Sequence, residues 1–334
     1  MYNLNNFEYL VGDKNISKKP TLPYNEIICN FLGDLSDELN LSTSSKSYAD
    51  IKTLAFWCRK QNIYNLKKNF LSNETRLGLG LIFHITPSNI PTNFAYSLIF
   101  GLVTGNSNIV KVPSQKFEQV KIICKAINKI LKNKYKTIRK MISIVRYSNN
   151  DNYTKKISSM CNARIIWGGD NSISNIRKFE LNQRALDIAF ADRYSFCAMN
   201  APEILKINNS QMQRLVEKFY NDTYLVDQNA CSSPHLILWL GRQAIRAREK
   251  FWKYLYNYVN RKYSLTETAS LEKYTQLCSH ILSLKNVKQH KRYGNLIYTI
   301  QLNYLDKKLH NLRGKWGFFY EYEINDLNKI KNYI

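Results

Sequence analysis

Glycine, proline and acidic residues are scarce in this sequence. It has 12 glycines, 7 prolines and 25 Asp+Glu among 334 residues, and no internal repeat or low-complexity tract interrupts it. Hydrophobic residues account for 44% and aromatic residues for 13%, enough apolar material to offset the entropy of ordering the chain. Intrinsic disorder is therefore excluded, and the length predicts roughly two domains.

Closely spaced cysteines are also lacking. The cysteines form neither a CxxC nor a Cys/His zinc pattern, which excludes a disulfide-stapled scaffold and predicts no metal site. We expect most of these thiols to be buried, reduced and packed as small hydrophobic groups. The seven are Cys29, Cys58, Cys124, Cys161, Cys197, Cys231 and Cys278.

Long apolar runs are missing as well. The longest, residues 94–103, is too short to cross a bilayer, which needs ~20 residues. Residues 1–14 contain acids and asparagines without an apolar core, unlike a signal peptide. We therefore predict no membrane span and a cytoplasmic protein.

Positive charge is what the chain has in excess. Its 49 Lys+Arg produce a formal net charge of +24, a balance that is typical of nucleic-acid-binding proteins. A/T-rich codons explain the abundance of Lys, Asn, Ile and Tyr equally well. Between Lys111 and Lys156 the basic residues are interleaved with apolar ones, as on a solvated helix face. We favour the interpretation that codon usage and solvated helix faces account for the positive charge, and we therefore predict no nucleic-acid partner.

From about residue 77 onward, short apolar runs alternate with amphipathic segments, whereas the first seventy residues are predicted to be helical. Such alternation is typical of a doubly wound, largely parallel α/β sheet. The predicted strands are 77–85, 108–112, 141–146, 163–167, 185–190, 194–199, 235–240, 296–301 and 317–324. The predicted helices are 91–104, 114–132 with Ser114 as N-cap, 151–160, one from 171, 209–220 and 242–262. Ligands of such sheets bind at the carboxyl ends of the strands, where loops 86–91 and 168–171 are expected.

Three residues are candidates for chemistry. Cys231 lies in a loop of small and polar residues before a predicted buried strand, which suits a nucleophilic thiolate, although a packing role is the alternative. Asn89 lies in a turn between strand and helix, where its amide either donates to an oxyanion or satisfies its own turn. Lys111 ends a short strand near the predicted ligand edge, with a merely solvated lysine as the alternative.

Together these residues lie in motifs that resemble the aldehyde dehydrogenase superfamily. The motifs are Gly80-Leu-Ile-Phe-His-Ile-Thr-Pro-Ser-Asn-Ile-Pro91, Gly105-Asn106 leading to Lys111, and Asp227-Gln-Asn-Ala-Cys-Ser-Ser-Pro234. The third motif and the turn Trp167-Gly168-Gly169-Asp170 are most similar to the acyl-CoA reductases of the bacterial bioluminescence type. The resemblance covers residues 77–324 and is carried chiefly by the first and third motifs.

The resemblance implies an aldehyde dehydrogenase-like α/β fold. It has a doubly wound parallel-sheet NADP-binding domain with N-terminal helices at 1–204 and a shortened α/β catalytic cysteine domain at 205–334. Cys231 matches the nucleophile, and the Asn89 side chain with the Cys231 backbone N–H matches the oxyanion hole. The residues that match the cofactor site are Lys111 at the adenosine ribose or its phosphate, Gly168 and Gly169 at the pyrophosphate, and Pro87, Ser88, Ser114 and Trp167 around them.

The implied reaction is reduction of a fatty acyl thioester, an acyl-CoA or acyl-protein, to a fatty aldehyde through an S-acyl-cysteine. No acidic residue lies between Lys111 and Phe117 and Lys116 adds positive charge, which favours NADPH over NADH. Residues 190–196 contain no glutamate of the kind that activates water in hydrolytic members, which suits a reductase. The expected partners are the thioester substrate, an acyl-transferring or acyl-activating enzyme, and further copies of the chain.

Alternatives remain open at this point. The family's C-terminal oligomerisation segment is not recognised before Ile334, so we expect a C-terminally incomplete catalytic domain, and the alternative function is an inactive relative serving as a binding or assembly subunit. His235 invites a Cys-His dyad, but packing at the start of a strand is favoured. The basic aromatic segment 251–263 resembles a nucleic-acid stacking platform, but an amphipathic helix whose cationic side chains cover apolar surface is favoured.

Overall fold

The computed structural model describes residues 7–70, 75–148 and 151–333. Two compact units divide the chain, Met1–Asp192 and Arg193–Ile334, and each has its own sheet and apolar core. Residues 1–6, part of the N-terminal segment 1–14 that lacks a signal-peptide pattern, lie outside the described residues. None of the helices in the described ranges is long and apolar enough to cross a membrane.

The sheet of the first unit is doubly wound. Its strands are β1 (Phe7–Val11), β2 (Leu81–Ile85), β3 (Ser107–Lys111), β4 (Ile142–Tyr147), β5 (Ala163–Gly168) and β6 (Leu186–Ala191). They pair in the order β1-β4-β3-β2-β5-β6, and every neighbouring pair is parallel except β1 with β4. The winding reverses between β2 and β5, which is the switch point at which such sheets bind ligands.

Helices cover this sheet and supply most of its core. They are α1 (Glu26–Leu41), α2 (Ala49–Trp57), α3 (Lys60–Phe70), α4 (Asn93–Val103), α5 (Glu118–Asn133), α6 (Lys136–Arg139), α7 (Asp151–Met160) and α8 (Asp170–Arg177). Helix α5 illustrates the pattern, because Val120, Ile123, Ile127 and Leu131 are buried at helical spacing while the lysines between them are exposed. The basic residues of this stretch therefore occupy a solvated helix face.

Three details of the first unit differ from the sequence predictions. Strand β1 was not predicted, because a short edge strand whose one fully buried residue is Val11 has no apolar period. Helix α5 begins at Glu118 with Phe117 at the N-cap, so Ser114 is not the cap; its hydroxyl instead donates to the carbonyl of Tyr147 at 3.2 Å. Pro91 lies in the turn before α4 rather than in its first turn.

The second unit contains a five-stranded sheet. Its strands are β7 (Ser195–Asn200), β8 (Pro234–Leu240), β9 (Val287–Tyr293), β10 (Ile297–Leu302) and β11 (Phe318–Ile324), in the order β7-β8-β11-β10-β9. Only the β9–β10 pair is antiparallel. The helices are α9 (Ala201–Lys206), α10 (Asn209–Thr223), α11 (Ala244–Lys262) and α12 (Glu267–Ser283). Because β7 pairs with β8, the segment 193–204 belongs to this unit, although the sequence grouped it with the preceding domain.

Aromatic side chains fill the core of the second unit. Phe251 and Trp252 of α11 are fully buried and pack against Trp239 of β8 and Phe319 of β11. The aromatic segment that resembled a stacking platform thus contributes rings to the core, as the amphipathic-helix interpretation predicted. Strand β9 escaped prediction because its sequence, VKQHKRY, is almost entirely polar, as suits an exposed edge strand.

Candidate active site

The expected cofactor loops of the first unit lie side by side at the carboxyl edge of its sheet. Strand β2 is flanked by β3 and β5, with Ile85 opposite Lys111 on one side and opposite Ile166 on the other. The turn after β2, the end of β3 and the turn after β5 are therefore neighbours. Loops 86–91 and 168–171 thus lie at the carboxyl edge, as the sequence predicted, and the strand order adds that this edge includes the switch point of the sheet.

The turn that carries Asn89 is tied to β3 at its base. Thr86 donates twice to the carbonyl of Lys111, through its backbone N–H at 3.2 Å and through its hydroxyl at 2.8 Å. Beyond Thr86 the chain leaves the sheet, with Pro87 half-buried and Ser88 and Asn89 exposed. An exposed amide on a fixed base is a geometry that suits a hydrogen-bond donor to a bound ligand.

Lys111 ends β3 in a half-buried position. Its Nζ lies 5.0 Å from the centre of the Tyr147 ring, and burial lowers its pKa. Both features reduce the hydration of the ammonium group. A partly desolvated cation interacts more strongly with an anion than a fully hydrated one.

A cavity of about 440 Å³ opens beside the ends of β1, β3 and β4. Ser114, Lys116 and Arg146 line it, together with Phe7, Glu8, Tyr147 and Ser148. Arg146 is held in place, because its Nη1 pairs with Glu8 at 3.0 Å and its Nε donates to the carbonyl of Pro113 at 3.3 Å. Two cations and a hydroxyl facing one cavity fit a phosphate group.

A buried chain of hydrogen bonds holds Trp167 at the end of β5. The Asn108 amide donates to the carbonyl of Asn106 at 2.7 Å, which leaves its oxygen to accept from His84 Nε2 at 2.9 Å. His84 Nδ1 then accepts from the Ser97 hydroxyl at 2.7 Å, and Ser97 Oγ accepts from Trp167 Nε1 at 3.1 Å. Burial lowers the pKa of His84 to about 4, so the imidazole is neutral at neutral pH. A neutral imidazole is the form that these hydrogen bonds require.

The two glycines after Trp167 have different surroundings. A Cβ at Gly168 would lie 3.4 Å from Ser172 Cβ, whereas a Cβ at Gly169 would meet nothing within 4 Å. Gly169 is the N-cap of α8 with an ordinary φ of −74°, so neither backbone conformation nor internal packing requires glycine there. Open space beside the first N–H groups of a helix fits the pyrophosphate of a dinucleotide.

Cys231 lies in the second unit, immediately before β8. Of the seven cysteines, all in the described part of the chain, it alone is exposed, and burial raises the pKa of Cys58 and of Cys124 to about 12. The carbonyl of Cys231 accepts from Ser195 Oγ at 2.7 Å, and Ser233 Oγ donates to the carbonyl of Asp222 at 2.6 Å. The thiol is therefore accessible while its backbone is anchored, the arrangement that a nucleophile needs.

Several positioning contacts were not found from the sequence. Arg146 had no local signal, because only the pairing of β1 with β4 brings Glu8 to it. Ser195 reaches the Cys231 carbonyl only because β7 lies beside β8. His235 is buried in β8 with its ring 5.6 Å from that of Tyr194, which agrees with packing at the start of a strand. Within the described ranges, no three His, Cys, Asp or Glu side chains are grouped to hold a metal ion.

Comparison with solved structures assigns the fold to the aldehyde dehydrogenase class. A lactaldehyde dehydrogenase matches with a TM-score of 0.65 and 11% identity, covering 94% of this chain and 72% of that one. An NAD-dependent benzaldehyde dehydrogenase from Corynebacterium glutamicum matches at 0.60 and 12%, covering 90% and 72%. A 3,6-anhydro-L-galactose dehydrogenase in complex with NAP matches at 0.60 and 11%, covering 99% and 81%. The α/β fold predicted from the sequence is confirmed.

The family is more specific than the fold. The model of the family described as Acyl-CoA reductase (LuxC) matches residues 34–276, well over half of the chain. The chain belongs to this family, a group of oxidoreductases that act on acyl or aldehyde groups, and the resemblance stated from the motifs is confirmed. No curated protein matches the sequence.

Proposed function

We propose that this protein is an NADPH-dependent reductase that converts a fatty acyl thioester, an acyl-CoA or acyl-protein, to a fatty aldehyde. The observation that carries the proposal is the exposed thiol of Cys231 on an anchored loop, in a chain whose other cysteines are buried or half-buried. Membership of the acyl-CoA reductase family supports the substrate class. The reaction passes through a covalent acyl-enzyme.

Cys231 starts the reaction as a thiolate. Its sulfur attacks the thioester carbonyl carbon and forms a new C–S bond, and the carbonyl oxygen becomes an oxyanion. The Cys231 backbone N–H donates to that oxygen, and Asn89 is assigned a role as an oxyanion donor only by its match to the family motif. Collapse of the tetrahedral species expels the thiolate of CoA or of the carrier protein and leaves the acyl group on Cys231.

Reduction completes the turnover. When bound, NADPH supplies the hydride that brings the acyl carbon to the aldehyde level. Breaking the C–S bond then releases the aldehyde and returns the Cys231 sulfur to its thiolate. The edge of the first sheet would hold the cofactor. Lys111 would contact the adenosine ribose or its phosphate, Gly168 and Gly169 would adjoin the pyrophosphate, and Pro87, Ser88, Ser114 and Trp167 would complete the site.

Two observations support NADPH over NADH. Lys116 and Arg146 face the same cavity as Ser114, and this cavity adjoins the end of β3, where Lys111 lies. The 2′-phosphate distinguishes NADPH from NADH, and it suits a site with two cations and a hydroxyl. The Glu8 carboxylate also lines the cavity and would repel a phosphate, but its charge is already paired with that of Arg146.

The proposal is tested by covalent labelling with a radiolabelled acyl-CoA. Wild type and Cys278→Ala are expected to retain label after denaturation and gel filtration, and Cys231→Ala is expected to retain none, with circular dichroism to establish that it is folded. Cys278 is the control because it is a half-buried thiol in the same unit. Undiminished labelling of Cys231→Ala would refute the assignment of the nucleophile.

The same preparations separate the reductase from an inactive relative. With NADPH and an acyl-CoA, the reductase produces aldehyde that a hydrazine reagent traps and oxidises NADPH in equal amount. Absence of both, together with absent acyl labelling in folded wild type, would instead favour a binding or assembly subunit.

A further inference from the structure

Gln228 uses all the hydrogen-bonding capacity of its side chain. Its Nε2 donates to the carbonyls of Pro234 and Phe318, both at 3.0 Å. Its Oε1 accepts from the backbone N–H groups of Gly317 and Phe318, both at 3.1 Å. The residue is 1% exposed, so these four bonds are made in a desolvated setting where leaving one unmade is costly.

These bonds close the loop that presents Cys231. Gln228 precedes Cys231 by three residues and Pro234 follows it by three, so the bond to the Pro234 carbonyl joins the two ends of the loop. The other three bonds attach the loop to the start of β11. One side chain therefore fixes the backbone on both sides of Cys231.

The backbone at the start of this loop is held in an unfavourable conformation. Asp227 and Gln228 have φ angles of 52° and 61°, in the left-handed region that non-glycine residues rarely adopt. Tyr263 donates its hydroxyl to the Asp227 carboxylate, and the Trp316 N–H donates to the Asp227 carbonyl at 3.2 Å. Such conformations persist only where the surroundings determine them, and they cluster at functional sites.

The turn at residues 316–317, to which the Gln228 side chain is hydrogen-bonded, is itself held by further contacts. Buried Lys273 donates to the carbonyl of Trp316 at 2.7 Å and to that of Asn295 at 2.8 Å. Gly317 has a φ of 82°, and a Cβ there would lie 2.3 Å from the hydroxyl oxygen of Tyr224. Gln228 thus connects the Cys231 loop to a fixed point of the sheet.

We propose that Gln228 is the positioning residue for Cys231: its amide joins the two ends of the nucleophile loop and anchors them to β11. The inference rests on the proposed function, because it concerns how the thiol meets an acyl carbonyl. Gln228 acts through the backbone and touches neither substrate nor cofactor. Its loss leaves the thiol accessible but without a fixed direction of attack.

The test compares Gln228→Met with Gln301→Met. Gln301 is a matched control, because it is 2% exposed, lies in β10 of the same unit, and its amide bonds with Glu323 at 2.8 Å and Gln289 at 2.6 Å, away from the Cys231 loop. Both substitutions replace a buried amide with an apolar side chain of similar length and shape. Circular dichroism and thermal unfolding establish that each variant is folded at the assay temperature.

Two rates are measured at Cys231: acyl transfer from an acyl-CoA and alkylation by iodoacetamide, located by peptide mapping. Acyl transfer needs a directed attack, whereas a small alkylating reagent does not. For Gln228→Met we expect acyl transfer to fall at least about tenfold while alkylation changes by less than about threefold. For Gln301→Met both rates are expected to stay within about threefold of wild type.

If Gln228→Met does not fold, Gln228→Glu replaces it. A carboxylate keeps the acceptor for the Gly317 and Phe318 N–H groups but has no donor for the Pro234 carbonyl, so the same loss of acyl transfer is expected. A folded Gln228 variant that accepts acyl groups at the wild-type rate, or a Gln301→Met loss of equal size, would overturn the inference. Wild type that is alkylated but never acylated would instead refute the proposed function.

Discussion

The indole N–H of Trp167 donates to the hydroxyl oxygen of Ser97 at 3.1 Å, and the same hydroxyl donates to His84. Trp167 also stacks on Phe190, with ring centres 4.1 Å apart and planes inclined by 12°. The hydrogen bond and the stacking contact fix the position of Trp167. Because Gly168 and Gly169 follow Trp167 directly, they also fix the start of the proposed pyrophosphate turn.

Replacement of Ser97 by alanine is expected to weaken both stability and cofactor binding. Ser97→Ala leaves His84 Nδ1 and Trp167 Nε1 without their shared partner, at a cost of about 1–3 kcal/mol in the free energy of unfolding. It also frees the indole, so the Kd for NADPH should rise. Urea denaturation and a fluorescence titration measure the two effects.

Ser36→Ala is the matched control for Ser97→Ala. Ser36 is buried in α1 and donates to the carbonyl of Ala55 at 2.6 Å, so its loss lowers stability without reaching the sheet edge. We expect its Kd for NADPH to equal that of wild type. Equal Kd values for Ser97→Ala and Ser36→Ala would contradict a role of Ser97 at the cofactor site.

Lys116 is expected to select the phosphorylated cofactor. Lys116→Ala removes a cation from the cavity that Ser114 and Arg146 share, so the KM for NADPH should rise about tenfold while the KM for NADH stays unchanged. Lys121→Ala is the control, since Lys121 is an exposed lysine of α5 that pairs with Glu118. An equal rise in KM for both cofactors would show that Lys116 does not distinguish NADPH from NADH through the 2′-phosphate.

Alanine is expected to affect different properties at Gly169 and Gly317: cofactor binding at the first and stability at the second. Gly169→Ala adds a Cβ in open space at a helix N-cap, so stability should change by less than about 1 kcal/mol while NADPH binding weakens. Gly317→Ala introduces contacts of 2.3 and 2.4 Å with Tyr224 and Leu296 at a φ of 82°, so it should destabilise by more than about 3 kcal/mol. Unfolding curves and NADPH titrations test both; unaltered NADPH binding by Gly169→Ala would argue against the pyrophosphate assignment.

Lys273 is expected to make stability depend on pH. Burial lowers its pKa from 10.5 to about 7, so between these values the unfolded chain binds a proton that the folded chain does not. The free energy of unfolding therefore rises as pH increases from about 7, by up to about 1.4 kcal/mol per pH unit. The neutral amine retains two N–H groups for the carbonyls of Asn295 and Trp316.

Urea denaturation at pH 6.5 and pH 9 measures this effect against Lys273→Met. The variant lacks the titrating group, so wild type should gain stability relative to it at the higher pH. Lys273→Met should also be less stable than wild type at both values, because two buried carbonyls lose their donor. Parallel pH profiles for the two proteins would exclude the predicted titration.

Local patterns predicted the parts of the fold that depend on neighbouring residues. Helix α7 was predicted with its observed bounds, and β5 and β8 each differ from prediction by one residue at one end, because turn residues and apolar runs delimit them. Ser114 was misassigned as an N-cap because its actual partner, the carbonyl of Tyr147, is far away in sequence. The strand order, and with it the contact of Arg146 with Glu8, has no local signature.

The sequence alone determined the alternation of strands and helices, the family motifs and the identity of Cys231, Asn89 and Lys111 as the residues to consider. Short-range periodicity and turn chemistry are properties of adjacent residues, so they can be read without a fold. Only the tertiary structure decided which cysteine is exposed, which hydrogen bonds orient Trp167, and that Gln228 reaches from one end of the nucleophile loop to the other and to β11. These depend on long-range contacts between buried polar groups, whose partners are fixed when the sheets form.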